Sequence, residues 1–526
     1  MSTGGTFQLV TNDGRMDTIL TASNLLRDNI TNITNRRRQQ GLTDVNPTLV
    51  DLERSHVLFV NAHFKPYVAI ALEYYKISAN NVTLGTNVQM SIPQYGDFFA
   101  DMVLNVVINA PTTSLTITGG TDSSVVLYKH CDYPGERLLQ QTSFEVNSNP
   151  LDAYSYDTYV LHRQFRVSQD KRAGWDRCMG QETPDVAIYC PSDDTNGTSA
   201  PFTARTKVDV YDGYQTYKQV HEPLKLWIPL LFWFNTDPRL AFPSVSVPYG
   251  QRFLNFQLAK ASDIYRAILN PGASVAGTNP RLETPQVATF DLYINNLFVL
   301  PEVHAIFIDR IAFTLIRVHR RQTQSLNKSS DSIHLVQIKW PVEVFWIGFQ
   351  PTANVTTNAT NSTRGSQVSV VDPNMEDWHR YGKVDNTIVT NGGTEAALQI
   401  RGTNVSSKLQ VKKERAHITN LQLTAHGVSL FNRFPAEFFN SYIPYQYGGA
   451  NYCTPSDVGL YMVSFSLYPG VYQPSGHFNA SRARELYLDY TSSYINSDNT
   501  ATVFVLAQCI NFILVTEGSA TIRYST

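Results

Sequence analysis

Histidines and acidic residues are the side chains best suited to hold a catalytic metal, and the sequence contains twelve histidines. A metal enzyme built on two β-barrels needs imidazoles two positions apart together with a carboxylate. No His-x-His pair occurs, and His-Glu-x-x-His is absent because His221-Glu222 is followed by Pro223 with no second histidine one turn on. His304 and Asp309 fall in a predicted connecting segment, where a surface histidine is the simpler interpretation. The sequence therefore predicts no metal site.

Motifs for nucleophilic catalysis and phosphate binding are missing as well. The sequence has no Gly-x-Ser-x-Gly elbow, no P-loop and no Gly-x-Gly-x-x-Gly. Tyr447-Gly448-Gly449 predicts a plain turn, and the adjacent carboxylates Asp193 and Asp194 lie in a polar loop. Adjacency in a loop does not indicate the carboxylate geometry of a glycosidase. We therefore predict that the chain is not an enzyme and has neither catalytic residues nor a cofactor.

The cysteines do not form a structural framework either. They are five in number and contain no Cys-x-x-Cys pair, which argues against both a disulfide scaffold and a zinc ribbon. We expect free thiols in a reducing compartment, because the N-terminus has no apolar core of signal-peptide length. The many Asn-x-Ser/Thr sequons are then interpreted as exposed polar loops. The cysteines are Cys131, Cys178, Cys190, Cys453 and Cys509.

The composition indicates a protein that loses much of its surface to neighbours. Only 16% of residues are charged and 12% are aromatic, against about 25% charged in an average soluble protein. Low charge with many aromatic residues favours large buried surfaces, within the fold or between subunits. The formal net charge of −2 gives no electrostatic support for nucleic-acid binding.

Many short strand patterns, among them residues 56–61, 98–109 and 342–349, are separated by long polar loops with few helices. They predict an all-β chain of packed sandwiches. We divide it into an N-terminal arm (1–46), a first sandwich (47–300), a linker (301–311) and a second sandwich (312–526).

Three local expectations complete this outline. Residues 19–30 predict a short helix, and the arginines that follow it, Arg36 to Arg38, predict a solvated loop. Residues 170–206 predict a long segment with little regular structure. Ser262 predicts the N-cap of a helix over 263–269.

The most apolar stretch, residues 224–234, predicts a strand that is covered on both faces. Pro229 cannot donate to a strand ladder, which places this strand at a sheet edge or at a bulge. We expect Trp227, Pro229, Leu231 and Trp233 to pack between sheets or against another copy of the chain, because a bare apolar edge would aggregate. A membrane span would need about 20 apolar residues and is excluded by length.

After this strand, residues 245–258 predict a hairpin with Pro248, Tyr249 and Gly250 in its turn.

An ordered set of segments along the whole chain resembles the major capsid proteins of nucleocytoplasmic large DNA viruses, in particular those of African swine fever virus and its relatives. The segments are GGTFQLVTNDG (4–14), NAHFKPY (61–67), IPQYGDFF (92–99), CDYPGER (131–137), LWIPLLFWFN (226–235), PSVSVPYGQRF (243–253), LYINNLFVLPEVH (292–304), LIRVH (315–319), KWPVE (339–343), TAHG (424–427), SYIPYQYGG (441–449), QPSGHFNASRARE (473–485) and SATIRYST (519–526).

The resemblance implies a double jelly roll: two eight-stranded antiparallel β-sandwiches side by side with few short helices. It implies three copies in a pseudo-hexameric capsomer, capsomers that tile an icosahedral shell, and contacts with penton and minor capsid proteins. It further implies assembly in the host cytoplasm over an internal membrane, with a virus-encoded chaperone as a partner. The loops over 111–124 and 170–205 look short beside the swine virus protein.

Two other functions stay open at this point. One is a minor capsid or spike protein, and the other is a carbohydrate-binding or bicupin-like enzyme on the same sandwich.

Overall fold

The computed structural model divides the chain into two units, residues 1–69 and 70–526. It describes residues 24–41, 70–114, 116–117, 120–121, 126–182, 186–191, 205–210, 214–215, 217–247, 251–269, 281–299, 312–355, 377–389, 409–483, 485–516 and 518–524. The predicted strand at 56–61 and linker at 301–311 lie outside these residues, as does most of the predicted arm.

Within the described part of the first unit, a helix spans Asn24–Gln39 and carries Arg36, Arg37 and Arg38 in its last turn. The predicted solvated loop at these arginines is therefore wrong. Cations near the carboxyl end of a helix interact favourably with its dipole, so the arginines continue the helix instead of ending it.

Eight described strands between residues 70 and 299 build a first β-sandwich. They are β1 (Ile70–Ser78), β2 (Asn87–Ser91), β3 (Phe98–Ile108), β4 (Leu139–Val146), β5 (Asn149–Ser155), β6 (Leu224–Pro229), β7 (Arg252–Leu258) and β8 (Val287–Val299). They pair antiparallel in two sheets, ordered β1-β8-β3-β6 and β2-β7-β4-β5. The sheets face each other across an aromatic core, where the Phe99 ring of β3 lies 6.2 Å from the Phe144 ring of β4.

Eight further strands build a second sandwich. They are β9 (Ala312–Leu326), β10 (Ser330–His334), β11 (Pro341–Pro351), β12 (Ile418–Ala425), β13 (Val428–Pro435), β14 (Leu460–Ser464), β15 (Leu486–Ser492) and β16 (Ala501–Thr516). Their sheets are ordered β9-β16-β11-β14 and β10-β15-β12-β13. Both orders repeat those of the first sandwich with every number raised by eight, so one topology occurs twice. The predicted double jelly roll is confirmed.

The connections carry short helices and paired strands. Among the described residues of the second unit, the helices are Pro134–Leu138, Tyr156–Phe165, Arg172–Cys178, Trp233–Thr236, Ala261–Ile264 and Ile443–Tyr447, with 3-10 turns at Gln169–Lys171, Pro238–Leu240, Ser244–Ser246 and Thr352–Asn354 and a π-helical turn at Phe438–Tyr442. Separate two-stranded ribbons join Thr113–Ser114 to Arg281–Leu282, Thr116–Ile117 to Gly120–Thr121, Val126–His130 to Tyr265–Leu269, Val186–Pro191 to Arg205–Val210 and Lys383–Val389 to Leu409–Arg415. Phe242–Pro243, Phe478–Asn479 and Ser519–Ile522 add to β3, β11 and β16.

The central apolar stretch confirms the edge prediction but not the length of the strand. β6 pairs with β3 and is the end strand in its sheet's order. It stops at Pro229, after which the chain coils through the helix Trp233–Thr236 and returns to the same edge of β3 at Phe242–Pro243. The prediction of a strand up to residue 234 is therefore wrong beyond Pro229, because a coiled backbone there buries consecutive side chains in one core.

Three other expectations are corrected. The predicted hairpin over 245–258 is a corner between sheets, since Phe242–Pro243 pairs with β3 whereas β7 belongs to the opposite sheet; its turn at 248–250 lies outside the described residues. The helix predicted over 263–269 ends at Ile264, where the strand Tyr265–Leu269 begins. Residues 170–206, expected to be irregular, contain the helix Arg172–Cys178 and the strand Val186–Pro191, and they end where its partner strand Arg205–Val210 begins.

Within the described residues, we find no helix that combines the length and apolar character required to span a membrane.

Candidate functional site: the seam between the rolls and the exposed edges

The two jelly rolls meet along a seam in which carboxylates of the first roll accept hydrogen bonds from groups of the second. Asp152 of β5 accepts hydrogen bonds from His319 of β9 at both carboxylate oxygens, from the backbone N–H at 2.9 Å and from ring Nδ1 at 3.0 Å. The Asp152 side chain is buried. This carboxylate therefore fixes β9 against β5 through backbone and side chain together.

An ion pair crosses the seam two residues further along β9. Arg321 donates from Nε to Asp157 Oδ2 at 2.6 Å, and the Asp157 side chain is 1% exposed. Asp157 lies in the first turn of the helix Tyr156–Phe165, where a negative charge is also favoured by the helix dipole. A buried ion pair tolerates little displacement of either partner, so it restricts the orientation of the rolls.

Neutral hydrogen bonds continue the seam at the other end of that helix. Gln164 Oε1 accepts from the backbone N–H and the hydroxyl of Ser456, at 3.0 and 2.9 Å. The Cys453 N–H donates to the Phe165 carbonyl at 2.6 Å, and Trp378 Nε1 donates to the Asp132 carbonyl at 2.8 Å. Together with the hydrogen bonds to Asp152 and the ion pair at Asp157, these bonds make the seam a polar interface with specific geometry.

The four residues predicted to form an interface fall into two pairs. Trp227 is 41% exposed on β6, with its ring 5.4 Å from that of Tyr293, and Pro229 is half-buried at the end of the strand. Leu231 and Trp233 are buried, and the Trp233 ring lies 5.9 Å from that of Phe144 in the core of the first roll. The structure does not bring all four to one surface. That Trp227 and Pro229 contact another copy stays a prediction.

The opposite edge of the same sheet is also apolar and exposed. β1 pairs with β8 alone among the described strands, and eight of its nine residues are exposed, including Leu72 at 66% and Tyr74 at 55%. An exposed apolar edge of this kind is a template for association unless another element covers it. The sheet therefore offers apolar side chains at both of its edges.

The second roll carries an aromatic surface that the sequence analysis missed. It comprises seven exposed side chains, called here the tyrosine surface: Tyr442, Tyr445, Tyr447, Leu467, Tyr468, Val471 and Tyr472. The segments carrying them are joined by a hydrogen bond from Asn451 Nδ2 to the Pro469 carbonyl. Tyrosine is enriched at protein interfaces, and a contiguous apolar patch marks an interaction site.

The local sequence explains why these tyrosines point outward. Residues 436–447 form one helical segment whose middle turn, Phe438–Tyr442, is π-helical. Its buried side, Phe439 and Ile443, packs into the core, so Tyr442 and Tyr445 remain on the solvent side. The sequence signal for this surface is the density of tyrosines in SYIPYQYGG and LYPGVY.

The acidic pair Glu414 and Asp457 has shifted pKa values, but its contacts are those of a structural element. Asp457 accepts backbone N–H groups from Tyr381 and Gly459, each at 2.8 Å, and Glu414 accepts from Gly382 at 3.1 Å. Burial, followed by the neighbouring Asp457, raises the pKa of Glu414 to about 8. Burial likewise raises the pKa of Asp457. The pair lies at the base of the ribbon Lys383–Val389 with Leu409–Arg415 and holds it to the roll.

The residues first considered for chemistry do not assemble a catalytic centre. The buried His221 contacts the Tyr128 carbonyl through Nε2 at 2.7 Å, and His304 and Asp309 lie outside the described residues. In the part of the chain that the structure describes, no group of three metal-ligating side chains occurs. Cys131, Cys178, Cys453 and Cys509 are free thiols, as expected.

Two family models match adjacent parts of the chain. "Large eukaryotic DNA virus major capsid protein" matches residues 299–521, and "Major capsid protein N-terminus" matches residues 58–299. The boundary between them coincides with the end of β8, so each model covers one jelly roll.

Individual proteins agree with these models. The chain is 33% identical to the major capsid protein of an African swine fever virus isolate, over the full length of both. It is 33% identical to the solved Faustovirus major capsid protein, covering 96% of this chain and 100% of that one with a TM-score of 0.75. PBCV-1 VP54, at 18% identity and a TM-score of 0.59, shares the fold over 89% of this chain.

These relatives are structural components of a virion capsid and not enzymes, which does not favour the carbohydrate-binding or bicupin alternative. The matches cover both halves of the chain, because the two models together run from residue 58 to residue 521. The chain belongs to the family of large eukaryotic DNA virus major capsid proteins.

Proposed function

We propose that three copies of this chain associate into a pseudo-hexameric capsomer and that capsomers tile an icosahedral shell. The observation that carries the proposal is the repeated topology: each chain presents two jelly rolls with the same strand order. Three chains then place six similar rolls around one axis, which gives a near-sixfold outline from a threefold particle. The ion-paired seam keeps the two rolls of each chain in the orientation that such a particle needs.

The contacts between copies are assigned to the exposed apolar surfaces. The tyrosine surface is one such contact, and the two edges of the first sheet, β1 and the Trp227–Pro229 end of β6, are the others. Leu231 and Trp233 support the β6 edge from the core. Burying these groups against a neighbour removes apolar surface from water at about 25 cal/mol per Å², which favours association.

The proposal includes the domain organisation and the setting of assembly. Residues 1–46 form an arm, 47–300 the first roll, 301–311 a linker and 312–526 the second roll. Capsomers contact one another, penton proteins and minor capsid proteins, and a virus-encoded chaperone assists folding in the host cytoplasm near an internal membrane. The net charge of −2 supports a shell protein that does not bind the genome.

Light scattering on the purified recombinant chain tests the proposal. A trimer has three times the chain mass of 59.1 kDa, about 177 kDa. The double variant Tyr445→Arg/Tyr468→Arg places two charges on the tyrosine surface, where the wild-type side chains are 79% and 68% exposed, and we expect a folded monomer. The matched control is Val428→Arg, at a residue that is 65% exposed on β13, and it stays trimeric.

A monomeric wild-type chain contradicts the trimer itself. A wild-type trimer that persists in the double tyrosine variant contradicts only the assigned contact. Trp227→Glu tests the β6 edge in the same way. If the trimer is unaffected by that substitution, the β6 edge is not part of the contact between copies.

A further inference from the structure

A cavity of about 740 Å³ lies between the two jelly rolls. The first roll contributes Thr158, His162 and Arg166 to its lining, and the second contributes Trp346 and Gln508. The cavity is large enough for a small ligand, and Pro229, Val471 and Tyr472 of the proposed contacts between copies lie at its border.

Arg166 carries a charge in this cavity that is not neutralised by a carboxylate among the described residues. Its Nη2 donates to the Tyr452 hydroxyl at 2.8 Å and to Gln508 Oε1 at 3.2 Å, both neutral groups. Its guanidinium carbon lies 5.0 Å from the Tyr452 ring and 5.9 Å from the Trp346 ring. A half-buried cation held only by neutral partners favours an anionic ligand.

The other arginines of the cavity are already paired, which sets Arg166 apart. Arg317 donates to both carboxylate oxygens of Glu343, and Arg239 donates to both oxygens of Asp237. Each of these pairs is electrically neutral, so neither pair competes with Arg166 for an anion.

Further polar groups around the cavity lack partners. Thr158 and Trp346 are 3% and 5% exposed, and Thr158 Oγ1, Trp346 Nε1 and Arg166 Nε have no hydrogen-bond partner within the described part of the chain. A buried polar group without a partner costs about 1–3 kcal/mol. Lys171 adds a second cation to the lining. The lining also contains the carboxylate of Asp101, which accepts hydrogen bonds from Tyr74 and Asn295.

The pKa of one lining histidine agrees with an excess of positive charge. Burial lowers the pKa of His162 to about 3, and the nearby charges of Arg166 and His319 act in the same direction. His162 is therefore neutral at physiological pH and can donate one ring N–H without adding charge.

We propose that this cavity binds a tetrahedral oxyanion of the phosphate class, with Arg166 as its principal ligand. A guanidinium matches phosphate oxygens in a two-pronged hydrogen-bonded geometry. Arg166 belongs to the first roll and its present partners Tyr452 and Gln508 to the second. A bound anion would therefore join the rolls and add stability in proportion to its occupancy.

Titration of the purified assembled chain with inorganic phosphate tests this site, by calorimetry at constant ionic strength set with chloride. We expect saturable binding to the wild type and at least tenfold weaker binding to Arg166→Gln. The control is Arg320→Gln, which also removes a half-buried arginine. Its guanidinium carbon lies 3.4 Å from the centre of the Trp340 ring, and the residue borders a different cavity; this variant retains wild-type affinity.

Two further arms decide the remaining outcomes. Arg166→Lys keeps the positive charge, so it should fold even if the glutamine variant does not. It loses the planar two-pronged donor geometry of the guanidinium, so it should bind phosphate with intermediate affinity. Competition by ATP at lower concentration than phosphate identifies a nucleotide phosphate as the source, whereas competition by free phosphate alone identifies the inorganic anion. Absence of saturable binding to the wild type, or equal affinity in Arg166→Gln or Arg166→Lys, overturns the proposal.

Discussion

The ion pair between Arg321 and Asp157 gives the most quantitative prediction about the seam. Arg321→Gln leaves the Asp157 carboxylate buried without its cation. Breaking a buried pair in this way costs about 3–5 kcal/mol. The Arg321 side chain is 32% exposed, so water partly replaces it, and we expect a loss of about 3 kcal/mol in the free energy of unfolding.

The reverse substitution should cost less, because the two partners are buried to different extents. In Asp157→Asn the unpaired group is Arg321, which reaches solvent. We expect a smaller loss of about 1.5–2 kcal/mol, in the lower part of the range of about 1.5–3 kcal/mol for a hydrogen bond to a charged group. The double variant should recover part of the loss, with a coupling energy of about 2 kcal/mol.

Urea unfolding followed by tryptophan fluorescence measures all three variants. Asp331→Asn is the control, since its pair with Lys328 is exposed on both sides, and surface pairs contribute about 0–1 kcal/mol. The reasoning is refuted if Arg321→Gln is no more destabilising than this control, or if the coupling energy is below about 0.5 kcal/mol.

Three other predictions concern the core and the base of the ribbon. Because the pKa of Glu414 is raised, the folded chain keeps a proton which the unfolded chain releases between about pH 4.5 and 8. The free energy of unfolding of the wild type therefore falls as the pH rises through this window. The urea midpoint of Glu414→Gln should fall less over the same window. Trp233→Asp should lose at least about 3–5 kcal/mol and yield insoluble chain, because the ring is in the core; a soluble variant with native circular dichroism contradicts this. Gly459→Ala places a Cβ against the Tyr381 backbone and should cost about 1–3 kcal/mol or more, whereas Gly174→Ala, where that Cβ meets open space in a helix, should stabilise by up to about 1 kcal/mol in thermal unfolding.

Period-two patterns predicted the framework of this fold well. Residues 98–109 and 342–349 predicted the strands observed as β3 and β11. Pro229 correctly indicated an edge strand, since a residue without an N–H can be accommodated where one side of the strand is unpaired. These predictions succeeded because the alternation of side chains along a strand and the missing N–H of proline are local features of the chain.

Predictions failed where tertiary contacts override local preference. An apolar run such as residues 230–234 is compatible with a strand or with a coil that fills a core, and the return of Phe242–Pro243 to β3 decides between them. The ribbon Val186–Pro191 with Arg205–Val210 depends on pairing across a gap in sequence, which composition does not reveal.

The seam was beyond sequence reasoning for a related reason. Asp152 and His319 are 167 positions apart, as the hydrogen bond between them records, and neither belongs to a motif. Their meeting follows from the placement of two complete rolls. The tyrosine surface, by contrast, was available from residue density alone, although only the structure separates its exposed tyrosines from the buried Phe439 beside them.

Negative-stain imaging of the purified recombinant chain tests the central claim most directly, which is that two topologically equal rolls make each chain one third of a pseudo-hexameric tile. We predict particles with threefold symmetry, a hexagonal outline and six roll-sized densities around the axis. A uniform population of separate particles with two densities each, at the same protein concentration, would contradict the account.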